Sequence, residues 1–446
     1  MKTVSLGWTL EAAARAVDGT LVGGGDACFS HVTTDSRHDV AGSLFVALGG
    51  EHFDGHRFVT QAIEGDAVGV LVERGSGVDV EPRIEVASTG DALAALGVKR
   101  RDEIEVPVIA VTGSNGKTST KDLLSAGLDG SWASPRSFNN EVGVPLTVLA
   151  TPPDATALIL EVGTRARGDI EWLSPIVRPV VSVVTNLGVV HMETFGSREG
   201  LEDAKYELVD ALEAGGTAVL PLDEPGLQRG GEPAVITFGG AGADVEVADL
   251  TTDDEGRPSF TLRTSQGPLN VTLPLSGKYQ ALNAAAAVGV AIALGLDLEA
   301  FVRRLASATG SAWRMDVHVG RFTVVNDAYN ASPPSVSGAL ETVAAMGRRP
   351  IAVLGVMAEL GSVCEEEHER MGRLVGKFGF SELVVVGPDH GYALGFPREV
   401  HRAANIGDAV DVLAEIVEPG DVVLVKASRS VGLERLALRL REVASS

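Results

Sequence analysis

Cysteine is nearly absent from this chain. Cys28 and Cys364 are its only two, far apart and without a C-x-x-C spacing. That excludes a disulfide scaffold and a cysteine-ligated zinc site, and it suits a reducing compartment, so a cytoplasmic protein is expected. Cations are scarce too: 37 Lys and Arg stand against 60 Asp and Glu, a formal charge of −23, with no basic run. A polyanion binder needs a basic face that releases counterions, so nucleic acid is not an expected partner. A nucleotide is still compatible, because a few local cations and backbone N–H groups outweigh distant, screened charge. No apolar run approaches the roughly eighteen residues of a membrane helix. The start of the chain alternates polar and apolar residues after Lys2, so neither a membrane span nor a signal peptide is expected.

What is present is a core. The chain is 45% hydrophobic and 22% charged, as in globular proteins, and its 446 residues fit about two to four domains. Short β-like runs at 43–48, 68–72 and 83–86 alternate with helical stretches at 60–64 and 91–98, which reads as a small α/β domain over residues 1–105. The charged stretch 99–105 before Pro107 reads as a solvated linker. From Val106 the strands become continuously apolar (108–112, 157–161, 180–185, 217–220, 234–238), the pattern of a parallel sheet buried on both faces. Residues 245–273 alternate instead, with turn signals at Asp253-Asp-Glu-Gly256 and Gln266-Gly267, as in a small antiparallel subdomain. An alanine-rich helix over 282–294 closes a central domain of 106–308. A third α/β block, 309–446, has strands at 322–326, 351–355, 383–387 and 422–426, with helices at 335–346, 366–376 and 433–443. Three α/β units in series are therefore expected, the third of Rossmann-like type.

The sharpest local signal is Thr112-Gly-Ser-Asn-Gly-Lys-Thr118, where a buried strand runs through glycines into a helix. Glycines allow close backbone approach to a phosphate, and a helix N-terminus offers free N–H groups. Gly113, Ser114, Asn115, Gly116, Lys117, Thr118 and Ser119 are thus candidate nucleotide contacts, with Lys117 on the β/γ-phosphates and the Thr118 hydroxyl on Mg²⁺. Val111 stands where a strict P-loop has its first glycine. Such a loop alone leaves kinase, GTPase and ligase open. Glu161 and His191 follow the strands 157–160 and 180–185, which would set them at the carboxyl ends of neighbouring parallel strands, where a carboxylate and an imidazole can hold a second divalent ion.

Together the phosphate loop, Glu161 and His191 resemble the nucleotide and metal motifs of the Mur ligase family, in order and spacing. The resemblance covers almost the whole chain. It implies an ATP-dependent amide ligase that uses ATP and two Mg²⁺ ions. Lys205, in Asp203-Ala-Lys-Tyr-Glu207, falls where these enzymes carry a lysine modified to a carbamate, and so joins Thr118, Glu161 and His191 as a candidate metal ligand. From the residues alone it reads as a solvated lysine on a helix. Asn283 matches the second asparagine of a G-x-H-N-x-x-N motif in which Tyr279 and Gln280 replace the His-Asn pair, and Pro221 departs from an expected N-x-D-D. Arg314 matches an arginine that closes on the ATP phosphates, and Asp327 an aspartate that contacts the nucleotide; Lys117, Lys205, His191, Asn283 and Arg314 form the implied catalytic set.

Within the family, Asp327-Ala-Tyr-Asn-Ala-Ser-Pro333 resembles the D-x-Y-N-A-N-P signature of the branch that adds D-alanyl-D-alanine to UDP-MurNAc-tripeptide, with Ser332 for Asn. Phe138-Asn-Asn-Glu-Val-Gly-Val-Pro145, Leu354-Gly-Val-Met-Ala-Glu-Leu-Gly361 (with Val356 for Asp) and Lys426-Ala-Ser-Arg429 (with Ala427 for Gly) agree. Asn139, Asn140, Tyr329 and Asn330 become candidate substrate contacts. Thr34-Asp-Ser-Arg37, Leu44-Phe-Val-Ala47 and Phe53-Asp-Gly-His56 resemble that branch's UDP-binding domain, which makes Ser36 and Arg37 candidates for uracil or phosphate; a plain turn at Asp35-Ser36 fits as well. The implied partners are UDP-MurNAc-tripeptide and D-Ala-D-Ala, and the expected state is a monomer. A Mur-type ligase with another carboxylate and amine, a nucleotide-binding homologue without turnover, and a P-loop kinase remain alternatives at this point.

Overall fold

A computed structural model describes residues 6–50, 53–188, 195–231 and 233–445. Three sheets carry the architecture. The first domain holds α1 (Leu10–Ala16), β1 (Thr20–Val22), β2 (His31–Thr33), β3 (Ser43–Val46), α2 (Val59–Glu64), β4 (Gly69–Glu73), β5 (Arg83–Val86) and α3 (Thr89–Asp102). Its sheet runs β1-β5-β4-β3-β2, parallel except where β1 meets β5.

The charged stretch 99–105 is not a linker. It is largely the last turn of α3, and Arg101 is buried, donating to the carbonyls of Val177 (3.2 Å), Ile104 (3.2 Å) and Arg178 (2.7 Å) and to Glu213 (3.2 Å). Charge suggested solvent, but a guanidinium surrounded by carbonyl acceptors can be buried, and here it fastens the first domain to the second.

The central domain contains β6 (Val108–Thr112), α4 (Lys117–Gly127), β7 (Trp132–Ala133), α5 (Gly143–Leu149), β8 (Leu158–Glu161), α6 (Asp169–Val177), β9 (Val181–Val184), α7 (Arg198–Asp210), β10 (Thr217–Pro221), β11 (Ala234–Gly239), β12 (Val245–Thr252), β13 (Pro258–Thr264), β14 (Gly267–Thr272), α8 (Gln280–Ala293) and α9 (Leu298–Leu305). They form one nine-stranded sheet, β14-β13-β12-β11-β10-β9-β6-β8-β7. Every residue of β6, β8 and β9 is buried, which their unbroken apolar runs predict. The alternating segment is antiparallel as expected, but it extends this same sheet, because β12 pairs in parallel with β11. Alanines of α8 allow that helix to lie close on the sheet; Ala284 to Ala287 are fully buried.

The third domain comprises β15 (Asp316–Val319), β16 (Thr323–Asn326), α10 (Pro333–Ala344), β17 (Pro350–Leu354), α11 (Cys364–Lys377), β18 (Glu382–Val386), β19 (His401–Ala403), α12 (Ile406–Ile416), β20 (Val422–Lys426) and α13 (Glu434–Ser445). Its sheet runs β15-β16-β20-β17-β18-β19, parallel apart from the edge strand β15. The three-domain α/β class expected above is thus observed. Among the described residues no helix is long and apolar enough to cross a membrane.

Candidate active site

The site grows from the carboxyl end of β6. Gly113 (φ 138°) and Gly116 (φ 83°) both have left-handed backbone, and the loop between them delivers Lys117 to the first turn of α4. A Cβ on Gly113 would collide with the Thr185 side chain, and one on Gly116 would stand 2.6 Å from Asn283 Oδ1. Lys117 Nζ folds over the loop, donating to the carbonyls of Gly113 (2.6 Å) and Ser114 (3.4 Å). Burial lowers its pKa, with the Arg314 charge acting in the same direction and Glu161 opposing.

Glu161, at the end of β8, is almost wholly buried. Its Oε2 accepts from Thr118 Oγ1 at 2.9 Å and its Oε1 from Asn139 Nδ2 at 2.8 Å, while its backbone N–H donates to Ser134 Oγ. A hydroxyl and a buried carboxylate in contact are hard oxygen donors of the kind Mg²⁺ takes. Lys205 on α7 is likewise buried rather than solvated, and burial, with the nearby Lys117 charge, pushes its pKa far down against the pull of Asp169 and Glu207.

The strands that precede Glu161 and His191 are not neighbours: β6 runs between β8 and β9. Order along the chain implied adjacency, but the crossovers place the phosphate-loop strand in the middle, so β8 and β9 end on either side of it. His191 lies outside the described residues.

A third wall comes from α8 and the third domain. Asn283 is buried and its Nδ2 donates to Gln280 Oε1 at 2.9 Å. Gln280, one of the two departures in that motif, therefore orients the Asn283 amide against Gly116. Tyr279, the other, packs against the core of the third domain, and its phenol is pushed up by burial and then by Asp327. Arg314 Nη2 reaches back to Ser137 Oγ at 3.4 Å, and Ser332 Oγ donates to Asn115 Oδ1 at 2.9 Å. The third domain thus touches the phosphate loop.

These surfaces enclose a cleft of about 1980 Å³, lined by Gly113 to Ser119, Asn139, Asn140, Glu161, Lys205, Asn283, Arg314, Asp327, Tyr329 and Asn330. Pro221, Leu222, Phe238 and Leu282 add apolar surface to the lining, of a kind that suits a flat base. A phosphate loop, hard oxygen donors and a cationic arm from a second domain can together bind a nucleoside triphosphate and neutralise a phosphoryl group in transfer.

The Mur ligase middle domain matches residues 111–291 and the Mur ligase, glutamate ligase domain matches residues 313–429. A UDP-N-acetylmuramoyl-tripeptide--D-alanyl-D-alanine ligase of Bacillus subtilis is 34% identical over 428 residues, spanning 92% of this chain and 93% of its own. The chain belongs to the Mur ligase family. Among solved structures, MurF from Acinetobacter baumannii superimposes with a TM-score of 0.88 at 30% identity, covering 98% of this Mur ligase and 99% of itself. MurF from Thermotoga maritima, solved in complex with ADP, gives 0.83 at 30% identity, with 92% and 97% covered.

Not every candidate is in the cleft of this Mur ligase. Ser36 and Arg37 follow β2 in the first domain; Ser36 Oγ donates to Gln61 Oε1, and Arg37 is forked onto Asp35 at 2.9 and 2.8 Å, holding that carboxyl down to about 2. Conversely, several cleft residues escaped the sequence reading. Asn186 clamps Asn115, taking its N–H (3.0 Å) and donating to its carbonyl (3.0 Å), and Thr185 Oγ1 donates to the same carbonyl at 2.5 Å. Their one signal was their place just after a buried strand. Lys426 is buried and donates to Asp327 Oδ2 at 2.5 Å, a pairing invisible across a sequence separation of 99.

Proposed function

We propose that this Mur ligase uses ATP to join the amine of D-alanyl-D-alanine to the terminal carboxylate of UDP-MurNAc-tripeptide, a cytoplasmic step of peptidoglycan precursor synthesis carried out by a monomer. The products are UDP-MurNAc-pentapeptide, ADP and phosphate. The observation that carries the reading is the convergence of Lys117, the Thr118–Glu161 pair and Arg314 of the third domain in one cleft. Likeness to D-Ala-D-Ala-adding ligases over more than nine-tenths of the chain supports the substrate pair, and the ADP complex of the Thermotoga relative supports ATP.

Residues 1–105 would bind the UDP moiety, 106–308 ATP, and 309–446 the incoming dipeptide, with Arg314 and Asp327 brought to the nucleotide. A substrate carboxylate oxygen attacks the γ-phosphorus and ADP leaves, giving an acyl phosphate. The dipeptide amine then adds to the acyl carbon, and the tetrahedral intermediate expels phosphate as the amine loses its proton. Such chemistry rests on positioning and charge neutralisation. Lys117 and Arg314 supply charge on the phosphates; the N–H groups from Gly116 to Ser119 cradle them, those of Ser114 and Asn115 being held by Asn186; Asn283 buttresses Gly116; Asn139, Asn140, Tyr329 and Asn330 face the substrates.

Thr118, Glu161, His191 and Lys205 as its carbamate are the residues that would hold two Mg²⁺ ions, which supply Lewis-acid charge neutralisation when bound. Lys205 suits modification, because a buried amine that sheds its proton is free to add CO₂, forming an N–C bond and releasing one proton. Growth on ¹³C-bicarbonate should give one carbamate resonance in the enzyme that Lys205→Ala lacks; identical spectra would remove the carbamate.

Phosphate release from ATP, measured with UDP-MurNAc-tripeptide with and without D-Ala-D-Ala, tests the whole reading. Release that needs both substrates, with a product heavier by the dipeptide less water, is expected. Tight ATP binding without release would refute it.

A further inference from the structure

Arg314 is presented by an unusual piece of backbone. The residues on either side of it, Trp313 (φ 63°) and Met315 (φ 50°), both have left-handed conformations, which large side chains adopt only when the surroundings impose them. The surroundings here are specific. The Met315 N–H donates to Asp327 Oδ1 at 3.1 Å, and the Tyr329 N–H donates to the Trp313 carbonyl at 3.1 Å. Asp327 Oδ2 takes the Lys426 ammonium at 2.5 Å, and that ammonium also donates to the Asn330 carbonyl at 2.9 Å. The Arg314 guanidinium lies over the Tyr329 ring, 4.1 Å from its centroid, and Arg429 lies over Trp313 at 4.5 Å.

Two features point to function rather than packing alone. Arg314 Nε is buried yet finds no acceptor among the described residues, and Nη2 has only the long contact to Ser137 Oγ, so the guanidinium is aimed at the cleft with donor capacity to spare. Lys426, by contrast, has its charge fully engaged inside the third domain, and both Asp327 carboxylate oxygens are occupied by protein groups.

We propose that Lys426 and Tyr329 are positioning residues for Arg314. Lys426 fixes the Asp327 carboxylate, which pins Met315, while the Tyr329 ring is the platform on which the guanidinium is set. Asp327 in this arrangement also holds the Arg314 loop, through the Met315 N–H. The inference rests on the reading of Arg314 as a phosphate contact.

The test is a cycle of Lys426→Met, Arg314→Ala and the double variant, with kcat and KM for ATP measured separately. Displacing a reacting group by about 1 Å typically costs of order 100-fold, so Lys426→Met should lower kcat roughly 10- to 100-fold in the native background and leave the Arg314→Ala enzyme almost unchanged. Equal losses in both backgrounds would overturn the proposal. Should Lys426→Met not fold, Tyr329→Leu takes its place in the cycle, and Tyr329→Phe, which keeps the ring, should lose far less than Tyr329→Leu; equal losses would overturn the platform. If the native enzyme turns over no substrate, the function proposed above fails by itself. The same cycle is then read on ATP affinity by calorimetry, where a loss shared with Arg314→Ala upholds the positioning role and an additive loss removes it.

Discussion

Replacing Gly116 with alanine should separate what the phosphate loop needs from what α4 needs. Two effects act at once. The backbone at φ 83° is left-handed, costing an L-residue about 1–2 kcal/mol. The new methyl carbon would also stand 2.6 Å from Asn283 Oδ1, so one of them must retreat by about 0.8 Å to reach ordinary van der Waals distance. Asn283 cannot swing freely, because its Nδ2 is held by Gln280. The loop therefore gives, carrying Lys117 with it, and a shift of that size at a reacting centre costs on the order of 10²-fold in turnover. The assay is steady-state phosphate release with ATP affinity from calorimetry, repeated in an Asn283→Ala background, which removes the collision but leaves the strained φ. Partial recovery of Gly116→Ala activity relative to Asn283→Ala alone is expected. Wild-type turnover by Gly116→Ala, or no interaction between the two substitutions, would refute the reasoning.

Three further predictions follow from the same geometry. Lys117→Ala should lower turnover roughly 10²- to 10³-fold, as for loss of one transition-state donor; a near-normal rate would remove the lysine from the mechanism. Arg101→Ala strands the carbonyls of Val177, Ile104 and Arg178 at the joint between the first two domains, so urea unfolding should show a loss of about 2–4 kcal/mol and separate transitions for those domains; one unshifted transition would show that the joint carries no load. His368 is buried and accepts the Met357 N–H on Nε2 at 2.9 Å, so its proton is on Nδ1, donated to the Cys364 carbonyl at 2.6 Å. Burial holds its pKa below the ordinary 6.5, with His390 adding to the effect and the Cys364 carbonyl, Asp389 and Glu367 opposing. The unfolded imidazole therefore takes up a proton first as pH falls through 6.5, and stability is lost downward from there to the lower folded value. Thermal melts between pH 7 and 5 should show that loss, and His368→Gln a flatter acid limb; parallel limbs would count against it.

Much of the fold was legible because its signals are local. A run such as Val108 to Thr112 has no polar face to offer solvent, and a glycine loop between such a strand and a helix limits what can be built there. Glu161 and Thr118 were legible as separate candidates. Their contact was not, and neither was the burial of Lys205, which a helix surface of mixed composition conceals. Arg101 misled for the opposite reason: local charge reads as solvent, while two of the three carbonyls that make its burial tolerable come from the end of α6 and the residue after it.

The sequence by itself determined the buried strands of the central sheet, the glycine loop at Gly113 to Thr118 and the family to which the chain belongs, since these depend on neighbours in the chain and on motif spacing. Only the tertiary structure decided that β6 runs between β8 and β9, that Asn186 and Ser332 both hold Asn115, and that Lys426 pairs with Asp327 to set the Arg314 loop. Those depend on crossovers and on desolvation, which bring together groups tens to hundreds of residues apart and turn ordinary surface charges into buried, paired ones.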